Sequence, residues 1–141
     1  MYKCKHFKAH EVVPPAIYEK FGERSFMFLD ERLLKLCDAL REEFGSATIN
    51  NYKWGGDRVA SGLRSPDSPY YSPTSQHSFG RAVDILFKDC PSDFVRDEIR
   101  SGIMLPYYED GEMPSVTLEE SVSWVHIDIR NGKAGVNSFK P

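Results

Sequence analysis

The stretch Ser75-Gln76-His77-Ser78-Phe79-Gly80-Arg81-Ala82-Val83-Asp84-Ile85-Leu86-Phe87 governs the reading of the whole chain. Its second half, 82–87, is apolar except for Asp84, the pattern of a buried strand. An ionised aspartate in such a strand needs a cation or several donors to offset its desolvation. Gly80 allows a sharp backbone turn, so His77 before it and Asp84 after it can converge. Together they read as half of a metal site. His126, in Trp124-Val125-His126-Ile127-Asp128, supplies the other half, because two histidines and one carboxylate suffice for a catalytic zinc with a position left for water.

His126 sits in a run, 122–129, that predicts a strand closed by a turn at Asn131-Gly132. Unbroken, it places Val125, Ile127 and Ile129 on one face and Val122, Trp124, His126 and Asp128 on the other. Upstream of His77, residues 65–78 hold three prolines, two tyrosines and five serines and show no periodicity. A loop of that length points to function or disorder. Tyr70 and Tyr71 are either groove-lining residues or loop anchors. Arg64 stands where the strand-like run from Val59 enters this loop, a place from which side chains are presented to ligands.

The remaining elements are scaffold. Asp30 is a strong N-cap and Gly45 a C-terminal stop, with Leu33, Leu36, Cys37, Leu40 and Phe44 between them at three- and four-residue steps, so a core helix is predicted. A short helix from Pro15 to Phe21, ended by Gly22, follows from the proline start. Further expectations are a strand over 47–54, a helix over 92–101 with Ser92 as N-cap, a polar connection over 106–114 and a short strand over 116–119. Helices and strands in this order, without regular βαβ alternation, predict a single α+β domain over 1–141 on a mainly antiparallel sheet with flanking helices.

Composition limits the function classes. A net charge of -3 and a pI near 5.8 argue against phosphate-directed nucleic-acid binding. No run approaches a membrane span, and the start Met1-Tyr2-Lys3-Cys4-Lys5-His6 is not followed by the apolar segment of a signal peptide. A chain made in the cytoplasm without a signal peptide is expected. Cys4, Cys37 and Cys90, widely spaced, read as reduced thiols. His6 and His10 are four apart, a metal-pair spacing on a helix, but Pro14-Pro15 leaves little room for one, and they read as surface or packing residues.

The pattern Ser75-x-His77-x-x-Gly80-x-Ala82-x-Asp84, preceded by Ser61-Gly62-Leu63-Arg64 and followed by Trp124-Val125-His126-Ile127-Asp128, resembles the family of D-Ala-D-Ala carboxypeptidases and phage endolysin peptidases. The resemblance implies a hedgehog/DD-peptidase-like fold, with one Zn2+ held by His77, Asp84 and His126. It also implies hydrolysis of peptidoglycan stem peptides by a protein that reaches the wall after release or is carried in a virion. Arg64 would match the family arginine that binds or polarises the substrate, and Ser75 the serine beside the metal. Many relatives carry the base glutamate three residues before the second histidine, where this chain has Ser123. Glu120, six before His126, occupies the place used by hedgehog-like members, and unbroken strand parity puts it on the His126 face. Glu119 and Asp128 are the other candidates. Loss of the glutamate also admits an alternative, a non-catalytic zinc-stabilised binding or virion structural module. The bond cut, whether L-Ala-D-Glu, D-Ala-D-Ala or a crosslink, stays open.

Overall fold

The computed structural model describes residues 1–103 and 115–141; the polar connection expected over 106–114 lies outside them. Among these described residues, three α-helices, α1 (Pro15–Phe21), α2 (Glu31–Phe44) and α3 (Ser92–Arg100), accompany five strands. The strands are β1 (Ala47–Thr48), β2 (Ala82–Phe87), β3 (Ser115–Glu119), β4 (Val125–Asp128) and β5 (Gly135–Phe139). They form one open sheet in the order β1-β2-β4-β3-β5, antiparallel at every pairing except the parallel β3–β5. The fold is therefore α+β on a mostly antiparallel sheet.

Each element has a local cause. Asp30 accepts the Arg32 N–H at 3.0 Å to cap α2, and Gly45 ends it with φ 88°. Leu33, Leu36, Cys37, Leu40 and Phe44 are buried as the periodicity requires. They share one cluster with Val83, Ile85 and Phe87 of β2, Val116 and Leu118 of β3, Val125 and Ile127 of β4, and Val95 and Ile99 of α3. One face of the sheet is thus committed to the core. The alternate positions, Asp84, Glu119, His126 and Asp128, belong to the other face.

Three expected strands differ from the outcome. The run 47–54 is a strand only at Ala47–Thr48, and Tyr52–Trp54 is a 3-10 turn. Asn50 and Asn51 turn their side-chain oxygens to the backbone N–H groups of Ser61 and Arg58, both at 2.9 Å, an alternative to ladder pairing. The strand-like run at 59–64 forms single bonds rather than a ladder: Leu63 N–H to Val12 O at 2.9 Å, and Arg64 N–H to His77 O at 3.1 Å. The run 122–129 is a strand only over Val125–Asp128, because Ser121 adopts a left-handed φ of 61°. α3 is capped by Pro91, one residue earlier than expected.

Asp30 also supports a pH prediction. Hydrogen bonds from the Arg32 guanidinium hold its carboxyl below the usual range against the opposing effect of burial. A carboxylate depressed by folding contributes stability that is present above its unfolded pKa of about 3.9 and is lost as pH falls through the folded value. Asp30→Asn keeps a capping side chain but not the charge. Its deficit in melting temperature is therefore expected to be present near pH 6 and to shrink as pH is taken to about 3; a gap independent of pH would refute this.

Candidate metal centre

β2 and β4 pair with Asp84 directly opposite His126, so two of the expected ligands are neighbours by register. His77 arrives from a short 3-10 turn, Gln76–Phe79, which Ser75 caps by accepting the His77 N–H at 3.3 Å. Gly80 closes the turn with φ 67°, and a Cβ there would stand 2.2 Å from the Phe28 carbonyl oxygen. Only glycine meets both conditions. The backbone then enters β2, and ligand atoms of His77, Asp84 and His126 all lie within 4.8 Å of one another.

The ring contacts decide which nitrogens are offered. His77 Nδ1–H donates to the Gly62 carbonyl at 2.9 Å, since a carbonyl can only accept, and this turns Nε2 toward Asp84 Oδ1 at 3.3 Å. His126 Nε2–H donates to Asp128 Oδ2 at 2.8 Å, and its Nδ1 meets Asp84 Oδ1 at 2.9 Å. With both rings neutral, two lone pairs and a carboxylate oxygen face one point, a set that suits a divalent cation. Each ring's second nitrogen is held by an oxygen, the arrangement that orients metal-binding histidines.

Charges alternate along this face. Arg64 Nη2 donates to Asp84 Oδ2 at 3.1 Å and its Nε to the Ala60 carbonyl at 2.8 Å, while Arg130 Nε donates to Asp128 Oδ1 at 2.7 Å. Burial alone would raise the Asp84 carboxyl, but the hydrogen bonds from His126 and His77 hold it well below the carboxylate range. Burial opposes charge on His126 as well, yet its bonds to Asp128 and Asp84 push it up to about 9. That shift favours the charged ring, whose second proton would lie between Nδ1 and Asp84.

A metal ion taken up at this point must displace that proton. Apparent affinity is expected to weaken about tenfold for each unit that pH falls from about 9 toward neutral, as for any single-proton competition. Competition with a chelator of known affinity at several pH values checks this. Affinity indifferent to pH would show that His126 is not a ligand.

These residues line a cleft of about 370 Å³ together with Arg64, Ser75, Glu119, Trp124, Arg130 and Phe139. Glu119 rather than Glu120 belongs to it. Thr117 pairs with Asp128 and Leu118 with Ile127, so one step further the register sets Glu119 opposite His126. The break at Ser121 removes the continuous strand on which parity favoured Glu120. Glu120 instead forms an ion pair with Arg100 of α3, the helix that packs on the core face. Asp128 is fully buried and occupied by His126 and Arg130.

The other sequence candidates divide clearly. Arg64 and Ser75 line the cleft, and Tyr70 borders the adjoining depression whereas Tyr71 does not line it. His6 pairs with Glu42 at 3.1 Å, and His10 packs among the rings of Tyr18, Tyr52 and Trp54; neither belongs to the triad's cluster. Among the described residues the three cysteines are free thiols. Three contributors were not foreseen. The Gly62 carbonyl and Arg58, which donates to the Asp84 carbonyl at 3.0 Å, act through contacts that no local pattern announces. Arg130 was visible as the next same-parity residue after His126 and Asp128.

No family model matches the chain, and neither a curated protein nor a solved structure is significantly similar to it. The family resemblance therefore rests on the quoted motif residues. No helix among the described residues is long and apolar enough to cross a membrane.

Proposed function

We propose that the protein is a zinc-dependent peptidase of the hedgehog/DD-peptidase-like fold that cuts the stem peptides of bacterial peptidoglycan, acting on the wall after release or from a virion. The observation that carries this reading is the convergence of His77 Nε2, Asp84 Oδ1 and His126 Nδ1 in a cleft that also holds a carboxylate and an arginine. The motif resemblance supports peptidoglycan as the substrate. When bound, zinc supplies a Lewis acid that polarises a carbonyl and acidifies water.

The chain's own groups complete the chemistry. Glu119, on the cleft wall opposite His126, takes the proton from the attacking water and passes it to the leaving amine. Arg64, on the far oxygen of Asp84, brings positive charge to the carbonyl oxygen as it becomes anionic. Ser75 and Trp124 border the space where the peptide lies. A carboxylate in the cleft supports the catalytic reading over a zinc-stabilised binding module, since Glu119 stands in for the glutamate that Ser123 replaces. Mass spectrometry of muropeptides after digestion of isolated walls with zinc-loaded protein tests the proposal. Cut stem peptides are expected; intact walls beside stoichiometric zinc would refute it.

A further inference from the structure

Outside the cleft, the turn Asn51-Tyr52-Lys53-Trp54-Gly55-Gly56-Asp57-Arg58 carries the chain's other tryptophan. Its side chain is 65% exposed. A single exposed apolar residue is ordinary; this one is set apart by how firmly it is held. Trp54 N–H and Gly56 N–H both donate to the Asn51 carbonyl, at 3.0 and 3.1 Å, and Gly55 N–H donates to the Tyr52 carbonyl at 3.2 Å. Asn51 Oδ1 accepts the Arg58 N–H at 2.9 Å, and the Tyr52 hydroxyl donates to the Val13 carbonyl at 2.9 Å. The turn is closed on itself and pinned to the body of the fold.

The indole also rests on a buried ring. His10 meets it edge to face with centroids 5.1 Å apart, and meets Tyr18 and Tyr52 in the same way. Burial and the charge of Lys53 lower the His10 pKa, so the support is a neutral ring. The two residues that follow Trp54 have no side chains, and a Cβ on Gly55 would meet nothing within 4 Å. Exposed Lys53 and Asp57 flank the plate, one bringing N–H donors and the other accepting oxygens.

We propose that the Trp54 turn is a saccharide platform, on which a neutral N-acetylhexosamine ring of the wall's glycan stacks while its peptide branch enters the cleft. Its role on the wall rests on the peptidase reading; sugar binding itself does not. A pyranose ring offers a flat face of C–H groups to the electron-rich face of an indole, and a rim of hydroxyls that both donate and accept. Lys53 and Asp57 match that rim, and their opposite signs suit a neutral partner better than a polyanion. Size points the same way. A tryptophan offers about 150–250 Å² of contact, far below the roughly 800 Å² that each partner brings to a stable protein interface, but sufficient for one sugar ring. The location fits as well. Arg58 donates to the Asp84 carbonyl, and Asp57, Arg58 and Asp84 line one depression. Four residues of chain span at most about 14 Å, so a sugar on Trp54 keeps its peptide within reach of the cleft.

The test titrates the zinc-loaded full chain with chitotetraose, the N-acetylglucosamine tetramer, by calorimetry. Alongside, apparent KM is measured on isolated walls and on a short soluble stem peptide without sugar. Saturable binding at millimolar tetramer is expected. Trp54→Ala is expected to weaken it about 30-fold, the effect of truncating an aromatic anchor, whereas Trp54→Phe, which keeps a stacking ring, retains most of it. Unchanged zinc content in both variants reports an intact fold. Trp54→Ala is further expected to raise KM on walls and to leave cleavage of the sugar-free peptide as it was. No tetramer binding by the parent, or equal affinity in Trp54→Ala, would overturn the platform. A wall KM indifferent to Trp54, or an equal loss on walls and on the sugar-free peptide, would overturn its role in holding substrate. Protein that binds tetramer through Trp54 but cuts neither substrate refutes the peptidase reading and leaves the sugar site standing.

Discussion

Glu119→Gln is expected to lower kcat for peptide cleavage by about 10²–10⁴-fold, the contribution of a positioned general base, while zinc remains stoichiometric. The argument is one of register. In β3, Val116 and Leu118 are fully buried toward the core, so Ser115, Thr117 and Glu119 take the opposite face, and the pairing of Thr117 with Asp128 carries Glu119 to His126. Glutamine keeps the shape and cannot accept a proton, so the loss should appear in kcat and leave metal content alone. Glu120→Gln is the matched control. Its carboxylate faces Arg100, a partly exposed pair worth about 0–1 kcal/mol of stability, and kcat should change little. A collapse of kcat in Glu120→Gln with activity retained in Glu119→Gln would place the base on Glu120 and refute the register.

That pair of variants also marks where sequence reasoning reaches its limit. α2 was legible because its signals are local: a cap at Asp30, a stop at Gly45 and an apolar stripe between them. The turn from His77 to Asp84 was legible for the same reason, with Gly80 as the hinge and a lone carboxylate in an apolar strand. The start of β4 was not. It depends on the left-handed φ of Ser121, and because side chains alternate with period two, a small error in where a strand begins reverses which face a residue takes. The parallel strand β5, whose Phe139 ring stands 5.6 Å from that of His126, pairs across the chain and leaves no local sign of its partner. The run after Thr48 carried strand-like residues, but Asn50 and Asn51 satisfied neighbouring backbone groups with their side chains instead.

Asp128→Asn is expected to weaken metal binding by about 10–100-fold, the usual effect of removing an outer carboxylate from a ligating histidine. Asp128 can only accept, so it keeps the hydrogen of neutral His126 on Nε2, 2.8 Å away, and leaves the Nδ1 lone pair toward Asp84 and His77. An asparagine can present its NH₂ to Nε2. The ring hydrogen then moves to Nδ1 and points where the metal must sit, a tautomer error of the kind that disables histidine when its aspartate is replaced. Arg130 would pull the same way, because its guanidinium bonds both oxygens of Asp128 and would hold the amide oxygen of the variant, turning the NH₂ toward the ring. Arg130→Gln in the Asp128→Asn background should therefore recover part of the lost affinity by freeing the amide to flip. Affinity in Asp128→Asn equal to that of the parent, measured by chelator competition at one pH, would show that Asp128 does not set the tautomer.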